Sequence, residues 1–306
     1  MESQKLHSQG FTVIELMITL AIIVVITSLV LPTIQESRNQ ARERECIIHL
    51  KQLGLAMHNY HDVYRTFPPG WVRKTPYAQS PSGFGWQVSI LPFVEEAPLY
   101  DAIRPSAPNN EGALEYVEAK YLKREISTYR CPADSTPVTN PMRGDWGTSN
   151  YSMNYGTEPV PRMTPLDGSM NWPGALPTRL HTNGIGWWNS RVGFRDITDG
   201  TSNTLMISER SVKSAAGIWP GVRSNSSETD QVTDTSYGNE INSGLNSFSS
   251  PHRGGANILL CDGSVRFLSD QVDSQPRGPG QGDVGGLFQK LGCRNDGQVV
   301  GELPGE

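Results

Sequence analysis

Apolar residues fill positions 11–31 with one interruption by charge, Glu15, and the run ends at Pro32. As a helix rising ~1.5 Å per residue, a run of this length reaches about 30 Å, the thickness of a bilayer's hydrocarbon core. A carboxylate inside such a span carries a penalty of roughly 2.5–3.5 kcal/mol and ordinarily marks a function or a partner. No Lys, Arg or His lies between Gly10 and Ser37, so this stretch of chain supplies Glu15 with no cation. A secretory signal peptide is the competing reading. The run is long for one, and no small-residue cleavage site follows it.

Beyond Pro32 the pattern changes period but stays helical. Ile47, Leu50, Gly54, Met57 and Tyr64, with Leu53 and Tyr60 beside them, form an apolar stripe on a charged segment. The spacing predicts one helix leaving the membrane, kinked at Pro32 and continuing to about residue 65, where "TFPPGW" ends it. "WQVSILPFVEEAPLYDAI" predicts two short helices interrupted by prolines, and "ALEYVEAKYLKREISTY" predicts a further helix. Residues 140–188 read as irregular chain holding a short strand at Tyr151 to Tyr155, and "NTLMISE" as a buried strand. Residues 223–250 are rich in Ser, Asn, Thr and Gly, predicting a long exposed loop, and residues 275–286 a Pro/Gly connector that includes "GPGQG". Asp262-Gly263 between apolar runs predicts a hairpin over 252–270. A two-residue turn there would pair Leu260 with Val265 and Ile258 with Phe267, placing all four on one buried face.

Composition narrows the class. The chain has 306 residues, a net charge of −5 and 36% hydrophobic residues, which suits one globular domain after the helix and gives no general footprint for nucleic acid. Cys46, Cys131, Cys261 and Cys293 lack the close pairing of zinc ribbons, so an extracytoplasmic disulfide is their natural use, with three pairings open and buried free thiols the alternative.

The N-terminal residues carry a resemblance. A polar leader ending at Gly10, then Phe11-Thr12-Val13-Ile14-Glu15 and an apolar helix, resembles the processing signal of type IV prepilins and pseudopilins. That resemblance implies cleavage between Gly10 and Phe11 by a prepilin peptidase and methylation of the new N-terminus. It also implies that Glu15 meets the N-terminal ammonium of a neighbouring subunit, and that Pro32 lies where such helices kink. His252, nine residues, then Asp262-Gly263 is similar to the H-X9-DG signature of a large prepilin-like family of unknown function. "LKQLGLAMHNYHD", "CPAD" and "FRDITDGTSNTLMISE" resemble other stretches of that family. The implied fold is α+β, a long N-terminal membrane-spanning helix on a pilin-like antiparallel sheet with large loop insertions. Its divisions are a leader at 1–10, a transmembrane helix at 11–31, a soluble helical continuation at 32–65 and a globular domain at 66–306.

Orientation brings a conflict. Lys5 precedes the span while Arg38, Arg42 and Arg44 follow it, a bias that would retain the body in the cytoplasm. Prepilin processing needs the body outside the bacterial inner membrane, and long domains translocate with limited regard to charge.

The chemistry is sparse. Some pseudopilins bind calcium in C-terminal loops, but Asp262 is accounted for by its turn, and "DITDGTSN" lacks the alternating acidic ligands of a calcium loop, so no metal or other cofactor is expected. His58 and His61 share a helix face without the Glu of H-E-x-x-H, and neither a nucleophile elbow nor a P-loop occurs, so no enzyme is expected. Trp187-Trp188 suits core packing better than a glycan platform. The reading is a non-enzymatic pilin-like subunit of a secretion system, such as type II, or of a pilus. Its partners are the peptidase, related pilin subunits and the lipid bilayer. The alternative is a membrane-anchored extracytoplasmic glycan-binding protein that does not polymerise.

Overall fold

The computed structural model describes residues 13–73, 82–103, 114–160, 182–223, 228–245, 247–276, 285–298 and 300. It divides into an N-terminal unit ending at Arg44 and a body beginning at Glu45. Helix α1 (Val13–Tyr64) runs unbroken through Pro32. Its first part is apolar and exposed, with Val13, Val24 and Leu29 each more than three-fifths accessible. Its last five turns belong to the body, where Cys46, Leu50, Leu53, Ala56 and Met57 are fully buried at the predicted spacing. Tyr64, at the end of the stripe, is instead exposed.

After α1 come β1 (Trp71–Val72), β2 (Gly83–Gly85), α2 (Trp86–Ile90) and α3 (Ala97–Ile103), the last two being the predicted short helices. The single helix expected over 113–129 is divided. A 3-10 turn at Leu114–Tyr116, α4 (Ala119–Leu122) and a 3-10 turn at Ser127–Tyr129 replace it, each bend aiming an apolar residue inward: Leu114, Leu122, Tyr129. Burial of those side chains outweighs the weak propensity for one straight helix.

The chain continues through β3 (Thr139–Asn140), β4 (Trp146–Ser149), β5 (Tyr151–Asn154), β6 (Leu205–Glu209), β7 (Gly217–Ile218), β8 (Gly221–Val222), β9 (Val232–Thr233), β10 (Gly255–Leu260), β11 (Val265–Ser269) and α5 (Leu287–Gly292). The main sheet has the order β11-β10-β6-β5-β9, antiparallel except for the β5–β9 pair. The remaining strands form two small three-stranded sheets, β1-β2-β8 and β3-β4-β7. The fold is α+β. Strand β10 is internal, so Ile258, Leu259 and Leu260 are all buried: Leu259 joins the cluster around α1, while Ile258 and Leu260 join a second cluster with Phe288 and Leu291 of α5.

The hairpin turns differently from the sequence expectation. The Leu260 N–H donates to the Ser264 carbonyl at 2.9 Å, closing a three-residue loop of Cys261, Asp262 and Gly263. Gly263 takes φ +87°, the left-handed position that such loops reserve for glycine. The extra loop residue shifts the register by one, pairing Leu259 with Val265 and Ile258 with Arg266. Phe267 consequently turns outward, 40% exposed, and Leu268 is buried in its place.

The exposed loop expected over 223–250 is largely interior. Thr229, Asp230, Gln231, Thr233, Asp234, Thr235, Ser247 and Ser249 are buried, and β9 forms an edge of the main sheet. Polar atoms replace apolar ones in this layer by satisfying one another. Asp230 accepts from Arg143 and, at 2.9 Å, from Arg223, while Asp234 accepts from the Val160 N–H at 2.9 Å and from Asn239 at 3.1 Å. The connector at "GPGQG" lies outside the described residues.

Candidate functional site

Four segments far apart in sequence meet beneath α1. Cys46 and Cys131 are joined as a disulfide with Cα atoms 5.1 Å apart, closing 85 residues of chain and tying α1 to the body. None of the three complete pairings open in the sequence is formed: one disulfide is made, and Cys261 and Cys293 are buried thiols, the alternative reading. Burial pushes the Cys261 thiol well up, with the charge of Asp262 acting the same way, and burial raises Cys293 to about 11.

Cys131 heads the "CPAD" turn. Its carbonyl accepts from the Asp134 N–H at 2.9 Å, and Pro132 occupies the turn position that suits its fixed φ. Asn150 fixes the cysteine from the other side, accepting the Cys131 N–H at 3.1 Å. Glu209 ends β6 and is 1% exposed. It accepts from the Asn257 N–H at 2.8 Å and from the Asn257 side chain at 3.1 Å. His252, in the turn before β10, brings Nε2 to 3.3 Å from Glu209 Oε1 and 3.8 Å from Cys131 Sγ. The two sulfurs, Nε2 and a Glu209 oxygen all lie within 4.8 Å of one another. Tyr151 closes the group, its hydroxyl donating to the Cys46 carbonyl at 3.4 Å. Burial raises the Tyr151 hydroxyl well above its usual range, and the Glu209 carboxylate adds to the effect.

The residues paired by the H-X9-DG spacing are not brought together. The six residues of β10 lie between them, a length of about 20 Å in an extended strand. Asp262 Oδ1 accepts the Ser264 N–H at 2.8 Å, a turn role, and Gly263 sits over His58. His58 Nε2 donates to the Cys261 carbonyl at 2.9 Å. His58 and His61 pack against Phe67 and Phe194, and burial lowers the His61 pKa, with His58 and Arg65 adding to the shift against Asp62. Sequence reasoning missed Glu209. Its one signal was a carboxylate ending a strand that opens with three apolar residues.

A second group joins Asp199, Cys293 and Asp296. Burial and the neighbouring Asp199 raise Asp296 to about 6, against the Gln298 N–H that favours its charged form. Asp199 spends its oxygens on the Asp296 and Gly297 N–H groups, at 2.6 and 2.8 Å. Trp187 is buried, with the Arg294 guanidinium 4.9 Å above its ring, so it packs as core rather than as an open stacking platform. An open pocket of about 620 Å³ lies beside it, lined also by Arg191, Arg195 and Asp196. At the other end of the chain, Gly10 and Phe11 lie outside the described residues. Glu15 is exposed in the first turn of α1.

Residues 35–275 match the family described as "Protein of unknown function (DUF1559)", and residues 5–31 match the prokaryotic N-terminal methylation motif. The chain belongs to the DUF1559 family. It is a pilin-like protein of the prepilin type, and the methylation motif marks it as a substrate of a prepilin peptidase with a membrane-anchoring helix. No curated protein and no solved structure matches it. The DUF1559 match runs over Cys46, Cys131, Glu209 and His252 alike, so the whole buried group lies within the family region.

Proposed function

We propose that this DUF1559 protein is a non-enzymatic structural subunit that is cut between Gly10 and Phe11, N-methylated on Phe11, and held in the bacterial inner membrane with its body outside. In this reading it assembles with like or related subunits through the N-terminal helix, in a secretion or pilus-type system. The observation that carries it is the coincidence of the methylation motif over 5–31 with a helix whose membrane-length apolar part is entirely exposed. A surface of that kind needs lipid or neighbouring helices to cover it. The body supports a structural role: its buried carboxylates and histidine are engaged in hydrogen bonds that hold segments together, and the disulfide fastens α1 to the sheet domain.

Intact mass of the membrane-extracted protein tests the reading. The expected species begins at Phe11 and carries one added methyl group. A chain retaining Met1, or a soluble product cut near residue 31, overturns it in favour of an uncleaved anchor or a signal peptide.

A further inference from the structure

The geometry points to a second use of the group around the disulfide: with Cys46 and Cys131 reduced, their thiolates, His252 Nε2 and a carboxylate oxygen of Glu209 bind one zinc ion in a closed tetrahedral site. The donor set is of the right kind, since zinc takes thiolate, imidazole and carboxylate together, and four protein ligands make a structural rather than a catalytic centre. Metal–ligand lengths of ~2.3 Å to sulfur and ~2.0–2.1 Å to nitrogen or oxygen put neighbouring donors about 3.3–3.8 Å apart in a tetrahedron. His252 Nε2 already stands 3.3 Å from Glu209 Oε1 and 3.8 Å from Cys131 Sγ, and all four donor atoms lie within 4.8 Å. The two bonded sulfurs must separate, a movement that χ rotation of the two cysteines supplies.

The surroundings are built as a ligand shell is. Asn257 donates twice to Glu209, fixing the carboxylate against His252. Such outer hydrogen bonds orient metal ligands and hold a carboxylate in its charged, ligating form. Glu209 is 1% exposed and the His252 side chain 5%, so the centre is closed to water.

The chemistry balances with a dithiol or phosphine reductant from outside. Two electrons and two protons convert the disulfide to two thiols; a dithiol closes to its own disulfide, and a phosphine is oxidised to the phosphine oxide with water as oxygen source. Zinc then displaces the two thiol protons and binds two thiolates. Disulfide and zinc are therefore alternative clasps between the same points on α1 and the body, so the two stay tied under oxidising and reducing conditions alike.

Cobalt(II) titration of the full chain in detergent, reduced with a phosphine and freed of it, is the test. Tetrahedral cobalt bound by thiolate shows a near-ultraviolet charge-transfer band and intense visible bands. One cobalt per chain, displaced by one zinc, is expected for the reduced protein and none for the oxidised one. Replacing both Cys46 and Cys131 by Ser should abolish the thiolate band while Cys261→Ser and Cys293→Ser keep it. His252→Gln and Glu209→Gln should each weaken zinc binding at least ten-fold, with folding of both variants checked in the oxidised state. If reduction unfolds the body, zinc should restore the far-ultraviolet circular dichroism of the oxidised protein. Failure of that restoration, absence of the bands in the reduced parent, their persistence when both Cys46 and Cys131 are Ser, or unchanged affinity in both His252→Gln and Glu209→Gln overturns the assignment.

Discussion

Asp230 shows how much a single buried side chain carries. Burial alone would raise its pKa, but Arg143 and Arg223 outweigh that and hold the carboxyl below the usual range. Arg143 is almost as deeply buried, so Asp230→Ala strands a guanidinium in the interior and should cost about 3–5 kcal/mol, read as a lowered urea midpoint. The sign with pH follows. A carboxyl with a depressed folded pKa stabilises above its unfolded value, about pH 4, and that contribution is lost as pH falls through the folded value. Between about pH 6 and pH 3 the parent should therefore lose more stability than Asp230→Asn. Glu15 is the counterpart in the membrane span. In the assembly proposed above, an ammonium in low dielectric, the Phe11 N-terminus of a neighbour, would offset the Glu15 cost of roughly 2.5–3.5 kcal/mol. Glu15→Ala should insert and be processed normally yet lose crosslinking through cysteines placed in the apolar helix. Crosslinking equal to the parent's would assign Glu15 to peptidase recognition instead.

At the scale of elements, the contact between α1 and β10 depends on a glycine. A Cβ at Gly54 would stand 2.9 Å from a terminal methyl of Leu259 and 3.5 Å from the Gly263 Cα. Gly54→Leu should therefore overpack this contact and lower stability by about 1–3 kcal/mol, measured by thermal unfolding. Gly54→Ala should be far milder, because the Leu259 methyl can swing aside and alanine favours helix by about 1 kcal/mol. Leu259→Ala should partly rescue Gly54→Leu, an interaction visible in a double-mutant cycle. The helix stripe was legible because period 3.6 shows directly in Leu50, Leu53 and Met57. The hairpin register was not. Asp-Gly fits both a two-residue turn and the last two positions of a three-residue loop, and the choice rests on partners distant in sequence: the Cys261 N–H donates to the Thr204 carbonyl at 2.9 Å, and the Asp262 N–H to Thr201 at 3.0 Å.

For the whole molecule, orientation is the open test between two physical rules. Arg38, Arg42 and Arg44 favour a cytoplasmic body, whereas peptidase processing and a disulfide between Cys46 and Cys131 suit an extracytoplasmic one. Protease added to spheroplasts should digest the body. Protection of the body would show that the charge bias prevailed.

The sequence by itself determined the anchor, the helix stripe and the buried strand β6, because each is written as a local period or as a motif over adjacent residues, while the α+β class followed from the family resemblance those motifs carry. Tertiary structure alone decided the rest. It put Glu209 beside His252 and the Cys46–Cys131 disulfide, because convergence of four distant segments leaves no periodic trace. It buried residues 229–235, which hydropathy reads as loop, because polar side chains enter a core when other polar groups there complete their hydrogen bonds, and two of those groups, Arg143 and the Val160 N–H, lie 87 and 74 residues from their partners.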